Sequence, residues 1–235
     1  MNYRKLETRN PAAIREMFSR IAPRYDFLNH LLSFNIDRHW RKRVCRRLDD
    51  ILENPAAVVL DLACGTGDLS IELKNVGKAK IFGVDFCHPM LQLAMQKTDS
   101  VPFIEGDGLN LPFEDLCFDA VTIAFGLRNF ADWELGLRES YRVLKPFGRL
   151  VVLEFSTPVV PGFKQVFDFY FNKILPFVGG FLSRSMEAYA YLPRSVSHFP
   201  DQDGLKRMME HVGFSKVEYE NLTGGIAAVH CAWKL

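Results

Sequence analysis

The sequence predicts an α/β protein: a mostly parallel seven-stranded sheet whose last strand runs antiparallel, preceded by an N-terminal helical arm. Three observations carry that prediction. From residue 56 onward, short apolar runs alternate with helical patterns, which is how a parallel sheet covered on both faces reads. Two of the first runs end in an acid followed by a turn, at Asp61 and Asp85. The turn Thr223-Gly224-Gly225 between the last two runs is too short to hold a crossover helix, so those strands must pair antiparallel. The expected organisation is one unit over 1–235: a helical arm over 1–55, a core over 56–156, an insertion over 157–200, and a C-terminal helix and hairpin over 201–235.

Each element has a local cause. In the arm, Asn10 can cap and Pro11 suits the first helical position, and Ile14, Met17, Phe18 and Ile21 then form one apolar stripe until Pro23 stops it. Trp40, Val44, Leu48 and Ile51 make a second stripe, with Arg38, Arg41, Lys42 and Arg46 mostly off it. The arm therefore reads as three short helices with a face that must pack on something. Val58-Val59-Leu60 is a buried strand, 81–85 a second, 101–104 a short third, 118–125 a fourth and 149–155 a fifth. Helices follow Gly67, carry Met90, Leu91, Ala94 and Met95, and span 135–144 up to Lys145-Pro146. Residues 156–200 break the rhythm. Leu205, Met208, Met209 and Val212 then give a helix closed by Gly213, and strands near 217–219 and 226–233 finish the chain.

Composition narrows the class. With 235 residues, 48% hydrophobic and 24% charged, the chain is neither disordered nor fibrous. Five cysteines form no CxxC pair and leave an odd one over, the pattern of reduced thiols and not of a disulfide frame or zinc site. The charged start carries no apolar signal run, and the uncharged stretch 174–183 is far shorter than the roughly 20 residues of a spanning helix. The expectation is a soluble, cytoplasmic protein. Charge is uneven: residues 1–50 hold twelve Lys/Arg and six Asp/Glu, a local +6. Such an arm attracts anionic surfaces, unless its charges are simply a solvated helix face.

The stretch Leu60-Asp61-Leu62-Ala63-Cys64-Gly65-Thr66-Gly67-Asp68 joins the first strand to its helix. Gly65 and Gly67 permit a sharp turn and close backbone approach, and the helix N-terminus favours an anionic group. Asp85 stands at the end of the second strand, where an acid accepts bonds from ribose hydroxyls. A dinucleotide loop wants a third glycine, absent here, and avoids flanking carboxylates such as Asp61 and Asp68. S-adenosylmethionine, with an ammonium and a sulfonium, suits these acids. Asp107-Gly108, after the third strand, is placed for the adenine amino group. The alternative is a tight strand–helix turn without a ligand. Together with the antiparallel terminal strand, the set points to a Rossmann-like class I methyltransferase rather than a dehydrogenase, with 56–156 as its cofactor-binding core.

At the end of the fourth strand, Phe125-Gly126-Leu127-Arg128-Asn129-Phe130 sets an arginine and an amide where an acceptor would lie. The alternative for Arg128 is pairing with an acid such as Glu154. The residues then resemble a known family, the ubiquinone/menaquinone biosynthesis C-methyltransferases, over nearly the whole length. Met17-Phe18-x-x-Ile21-Ala22-x-x-Tyr25-Asp26-x-x-Asn29 looks like its opening signature, and the loop from Asp61 to Asp68 like its cofactor loop. The most specific matches are Phe125-Gly126-Leu127-Arg128-Asn129, Tyr141-Arg142-Val143-Leu144-Lys145-Pro146 and Leu153-Glu154-Phe155-Ser156. Tyr191-Leu192-Pro193-x-Ser195 and Gly213-Phe214 extend it. Phe147 departs from the usual Gly after Lys-Pro, and Ala124 stands where Ser is common.

The resemblance implies methyl transfer to a ring carbon of a polyprenylated quinol, with cofactor contacts at Thr66, Asp85, Asp107 and Gly108. A neutral hydroquinone, with a hydroxyl pKa near ~10, must lose a proton to become a carbon nucleophile. Arg128 is the expected fixed cation for that oxyanion and Asn129 a donor to it, with Tyr25 and Asp26 closing from the arm to exclude water. The general base is not evident; His198 reads as a solvated loop histidine. Seven of the twenty Phe fall within 155–181, with Lys164, Lys173 and Arg184 around them. That insertion is expected to cover a prenyl tail and dock peripherally at a membrane, or else to be a homodimer interface or core. The near-neutral chain and the lack of a base-flipping aromatic motif argue against nucleic acid. Another methyl acceptor of the same fold, such as a lipid amine, or a non-catalytic scaffold are the competing readings.

Overall fold

The computed structural model describes residues 10–160, 165 and 186–235. Four helices and a 3-10 turn build the arm: α1 (Pro11–Ile21), the turn Ala22–Arg24, α2 (Tyr25–Leu32), α3 (Ile36–Arg46) and α4 (Asp49–Leu52). This is one helix more than the apolar stripes imply, because α2 has its own short stripe and the left-handed Phe34 and Asn35 separate it from α3. Asn10 caps α1, its side chain accepting from the Ala12 N–H at 3.0 Å, and Pro11 occupies the first turn.

The core then alternates β1 (Val58–Leu62), α5 (Asp68–Val76), β2 (Lys80–Asp85), α6 (His88–Lys97), β3 (Phe103–Glu105), β4 (Phe118–Ala124), α7 (Trp133–Val143) and β5 (Leu144–Phe155). Helices α8 (Met186–His198) and α9 (Gln202–Val212) follow, and β6 (Ser215–Leu222) and β7 (Ala227–Trp233) end the chain. The sheet order is β3-β2-β1-β4-β5-β7-β6, with β1 to β5 parallel and β7 antiparallel to both neighbours. It is the mostly parallel seven-stranded sheet with an antiparallel last strand that the sequence predicts, with the strand order now added.

Three boundaries differ. β3 is shorter and later than 101–104. β5 begins at Leu144, not 149: Lys145-Pro146 does end α7, yet Leu144 already pairs with Phe118. The stretch 186–198 is helical with Pro193 inside it, so His198 lies in a last helical turn and not a loop, its Nδ1 2.7 Å from the Arg194 carbonyl. Tight chain reversal between β6 and β7 rests on Gly224 and Gly225, at φ +69° and +92°. The predicted cover at Phe163, Phe167, Phe169, Phe171, Phe177 and Phe181, with Val166, Tyr170, Ile174, Leu175, Val178, Lys164, Lys173 and Arg184, lies outside the described residues.

Side-chain alternation along the strands feeds two apolar layers. Val59, Ile81, Val151 and Val229 pack with α5, α6 and Trp40 on one face. Leu60, Leu62, Val121 and Val152 pack with α7 and α9 on the other. A third cluster, Met17, Ile21, Ala22, Cys87 and Met90, seats α1 on α6. α3 is pinned at its middle and at its C-terminal end. Trp40 is buried, donates from Nε1 to Thr223 Oγ1 at 2.9 Å and meets Phe125 and Phe155 edge-on or tilted. Arg43 and Arg47 both reach Glu220 on β6. Burying a residue like Trp40 is worth roughly 2–3 kcal/mol in area alone, so the arm is bound to the sheet and its loop-side face is held at the strand ends.

Candidate active site

A cleft of ≈ 180 Å³ opens over the carboxyl ends of β1, β2 and β4, closed from above by α1, α2 and α3. Its floor is the β1–α5 loop. Gly65 sits at φ +55°, and a Cβ there would meet nothing within 4 Å, so the backbone faces open space on the cleft side. Gly67, at φ +81°, has a different purpose: a Cβ would fall 2.8 Å from Phe103 and 3.0 Å from Ala94. It lets β3 and α6 close under the loop and does not line the cleft. Ala63 and Phe125, at the ends of β1 and β4, both hold φ +56° and both line the cleft. Left-handed non-glycine residues cluster where a surrounding structure enforces them.

Asp85 is 7% exposed, and its two oxygens accept the N–H groups of Gly65 and Cys87, each at 2.8 Å. Burial pushes its carboxyl up to about 6. Asp61 is 1% exposed and held by the hydroxyls of Ser70 (2.5 Å) and Thr122 (2.9 Å); burial pushes it up to about 6 as well. Asp107 is exposed at the cleft mouth, where its Oδ1 accepts from the Leu109 N–H at 2.9 Å. Gly108 lines the cleft, but what comes close to it is the Phe130 ring, 2.6 Å from where a Cβ would stand.

The arm is latched to the loop. Thr66 Oγ1 donates to Asp26 Oδ1 at 2.5 Å, and Lys97 bridges Asp26 (2.6 Å) and Asp68 (2.7 Å). His30 and Arg41 stand 3.4 Å from the second Asp68 oxygen, and both contact the buried Asp37. Asp26 thus faces the latch and does not line the cleft, whereas Tyr25 and Asn29 on the same helix do. Burial raises the Tyr25 phenol above its ordinary pKa, against the opposing charge of Arg128, so the phenol stays protonated.

Arg128 is the main correction. Its guanidinium does not line the cleft: Nη1 donates to Glu154 Oε1 at 2.7 Å and to the Phe125 carbonyl, and the group lies over the Phe155 ring. The Arg128 N–H also reaches Glu154 Oε2 at 3.2 Å. The pairing weighed as the alternative is the geometry found, because Glu154 is 2% exposed and a buried carboxylate demands a partner. Asn129 does reach the cleft; its Oδ1 accepts from Tyr191 Oη at 3.0 Å. Two cations that sequence reasoning left unassigned also line it, Arg15 and Arg41. Arg41 is 9% exposed, and its Nε is buried without a hydrogen-bond partner. As an off-stripe arginine it reads as solvated; only α3 docking on the loop turns it inward.

A cleft at the carboxyl ends of a 3-2-1-4-5-7-6 sheet is where open α/β folds bind their ligands, and with the comparisons that follow it makes the chain an S-adenosylmethionine-dependent methyltransferase of the class I fold. In fold the chain is similar to a SAM-dependent methyltransferase of Thermotoga maritima, described as a possible histamine N-methyltransferase (TM-score 0.66, 19% identity, covering 94% of this chain and 99% of that one). The model of the ubiE/COQ5 methyltransferase family matches residues 5–234, and the chain belongs to that family. It is 53% identical over 219 residues to a demethylmenaquinone methyltransferase of Thermus thermophilus, covering 91% of this chain and 98% of the relative. It is 45% identical over 229 residues to a ubiquinone/menaquinone biosynthesis C-methyltransferase of Geotalea daltonii, covering 94% and 96%. Among the described residues no helix is long and apolar enough to cross a membrane.

Proposed function

We propose that this methyltransferase methylates a ring carbon of a polyprenylated quinol, converting demethylmenaquinol to menaquinol. The observation that carries the reading is the pairing, in one cleft, of an acid-rimmed loop with an aromatic wall (Phe18, Tyr25, Phe125, Phe130) that ends in the Asn129 amide. The name of the Thermus relative, a demethylmenaquinone methyltransferase, supports such a ring as the acceptor. The 2-polyprenyl-6-methoxy-1,4-benzoquinol of ubiquinone synthesis is the second reading, supported by the name of the Geotalea relative.

The cleft suits S-adenosylmethionine on three counts. Asp85 is a buried carboxylate whose oxygens, beyond the Gly65 and Cys87 N–H groups they already accept, keep lone pairs that ribose hydroxyls would meet. Gly65 leaves room above the loop. Arg41 lines the cleft as a cation that would face the cofactor's carboxylate. Thr66, Asp61, Asp107 and Gly108 complete the set that would hold the cofactor, with Gly67 shaping the loop from behind. When bound, the cofactor supplies a methyl group already activated on a sulfonium.

The protein's task is to make a carbon nucleophilic. The quinol would be held as its anion, its hydroxyl proton released to solvent before the cleft closes: the Tyr25 phenol and the Asn129 amide N–H would donate to that oxygen, and preorganised donors of this kind act most strongly where water is excluded. Phe18, Phe125 and Phe130 exclude it. Arg128 is a positioning residue: braced on Glu154 and the Phe125 carbonyl, it holds the turn Leu127–Asn129 that presents Asn129. Asp26 is likewise a positioning residue, holding α2 to Thr66. The prenyl tail leads outward to a membrane, which the protein meets peripherally.

Mass analysis of the quinone pool in cells lacking this chain tests the assignment. Accumulation of the quinone one methyl lighter, restored by the wild-type chain, is expected. An unchanged pool would remove the quinol from the account.

A further inference from the structure

Asn129 closes a 3-10 turn of only three residues, Leu127–Asn129, and lines the cleft. Its amide has two edges of opposite character, an acceptor oxygen and a donor nitrogen, in nearly the same shape. Turned one way, such a group stabilises an oxyanion; turned the other way, it repels one. The donor role of Asn129 therefore depends on what holds the amide in one sense.

Two hydrogen bonds hold it. On one side Nδ2 donates to the Phe125 carbonyl at 3.4 Å, near the limit for such a bond. That carbonyl also accepts from the Arg128 guanidinium. On the other side Oδ1 accepts from the Tyr191 hydroxyl at 3.0 Å. The shorter bond thus comes from α8, 62 residues further along the chain. Both bonds demand the same orientation, since a carbonyl only accepts and the hydroxyl is donating. Among the described residues, the second N–H of the amide is then the group left for the cleft. Tyr191, with Leu192 and Val196, packs on the Met17, Ile21, Cys87 and Met90 cluster that seats α1 on α6. A phenyl ring would keep that packing and lose only the hydroxyl.

We propose that Tyr191 is a positioning residue for methyl transfer: its hydroxyl occupies the Asn129 oxygen and so turns the amide N–H toward the acceptor's oxyanion. Without that hydroxyl, the amide is left to the long Phe125 bond and can rotate to face the oxyanion with its own oxygen. The part Asn129 plays toward an oxyanion rests on the quinol reading; the fixing of its amide by Tyr191 does not.

A double-mutant cycle in single turnover tests this, with the full chain, bound S-adenosylmethionine and detergent-dispersed demethylmenaquinol. Asn129→Ala is expected to slow transfer about a hundredfold. Tyr191→Phe should slow it about three- to tenfold, the worth of one hydrogen bond, and cofactor affinity should change in neither. In the Asn129→Ala background, Tyr191→Phe should slow transfer less than about twofold, since the amide it acts through is gone. A hydroxyl that served only the packing of α8 would cost the same factor in both backgrounds. Such additivity, or a wild-type rate in Tyr191→Phe, would overturn the proposal.

A second measurement needs no acceptor. It follows the ¹⁵N side-chain amide signals of Asn129 in the cofactor-bound chain, identified by their loss in Asn129→Ala. Tyr191→Phe should shift them, and unshifted signals would overturn the proposal by themselves. If the wild type binds cofactor and methylates no quinol while those signals shift, the quinol reading fails and the fixing of the amide stands.

Discussion

At the scale of single residues, Asp85 carries the pH dependence of the site. Its carboxyl is pushed up to about 6 by burial, and a hydroxyl donor binds the ionised form. Cofactor affinity should be flat above pH 6 and fall up to tenfold per unit below it. Calorimetry across pH 5–8 checks this, with Asp85→Asn expected to bind more weakly throughout and to lose most of the slope. Arg41 is tested by changing the ligand. The wild type should prefer S-adenosylmethionine over its decarboxylated analogue by about 10–100-fold, the worth of a charged hydrogen bond, and Arg41→Gln should bind the two alike. For Arg128 the buried pair matters most. Arg128→Ala leaves Glu154 uncompensated and should cost about 3–5 kcal/mol, while Arg128→Met/Glu154→Gln regains much of that stability. If Arg128 positions Asn129, the double variant still has a lowered kcat at near-normal cofactor affinity. Stopped turnover in a destabilised single variant would prove nothing about chemistry. The strand-end acids were legible because Asp61 and Asp85 close the apolar runs of β1 and β2 and Asp107 follows β3 by two residues. The Arg128–Glu154 pair was legible only as one of two options, since Glu154 belongs to a strand 26 residues on. Arg41 was illegible, because what makes it inward-facing is the docking of its whole helix.

At the scale of elements, the arm decides whether the cleft is closed. Asp26 joins α2 to the loop through Thr66 and to α6 through Lys97. Asp26→Ala should free α2, seen as faster amide exchange over 25–32 and a higher cofactor dissociation rate, with little loss of global stability because the Lys97 pair is partly exposed. A second local test lies at the α7–β5 connection. Phe147 departs from the glycine the family resemblance implies, and the structure gives it φ +63° at 77% exposure. Relief of a left-handed aromatic residue outweighs the added chain entropy, so Phe147→Gly should raise the melting temperature by a few degrees, about 0.5–1 kcal/mol. The mostly parallel sheet, its antiparallel last strand and the helices α5, α6, α7 and α9 were legible from periodicity and caps, whereas the strand order came only with the structure. The start of β5 was not, because a helix stop at Lys145-Pro146 and a strand start coincide there. α8 was hidden by Pro193 inside it.

At the scale of the whole molecule, two apolar layers fix the sheet and the arm completes the site from outside it. Asp61 and Asp85 are both raised above their unfolded values of about 3.9. Their burial therefore costs little below pH 4, and the cost grows as pH rises through 6. A cofactor that supplies donors to these ionised acids offsets that cost, so the thermal shift it causes should be larger at pH 7.5 than at pH 5. The account as a whole depends on where the methyl group ends. Purified chain, S-adenosylmethionine carrying a ¹³C methyl, and demethylmenaquinol, followed by NMR of the extracted quinone, give the most direct reading. The label is expected on a ring carbon, with transfer reduced in the Asn129→Ala and Tyr25→Phe variants. Label on an oxygen, or none transferred to the quinol by an enzyme that binds the cofactor, would contradict it.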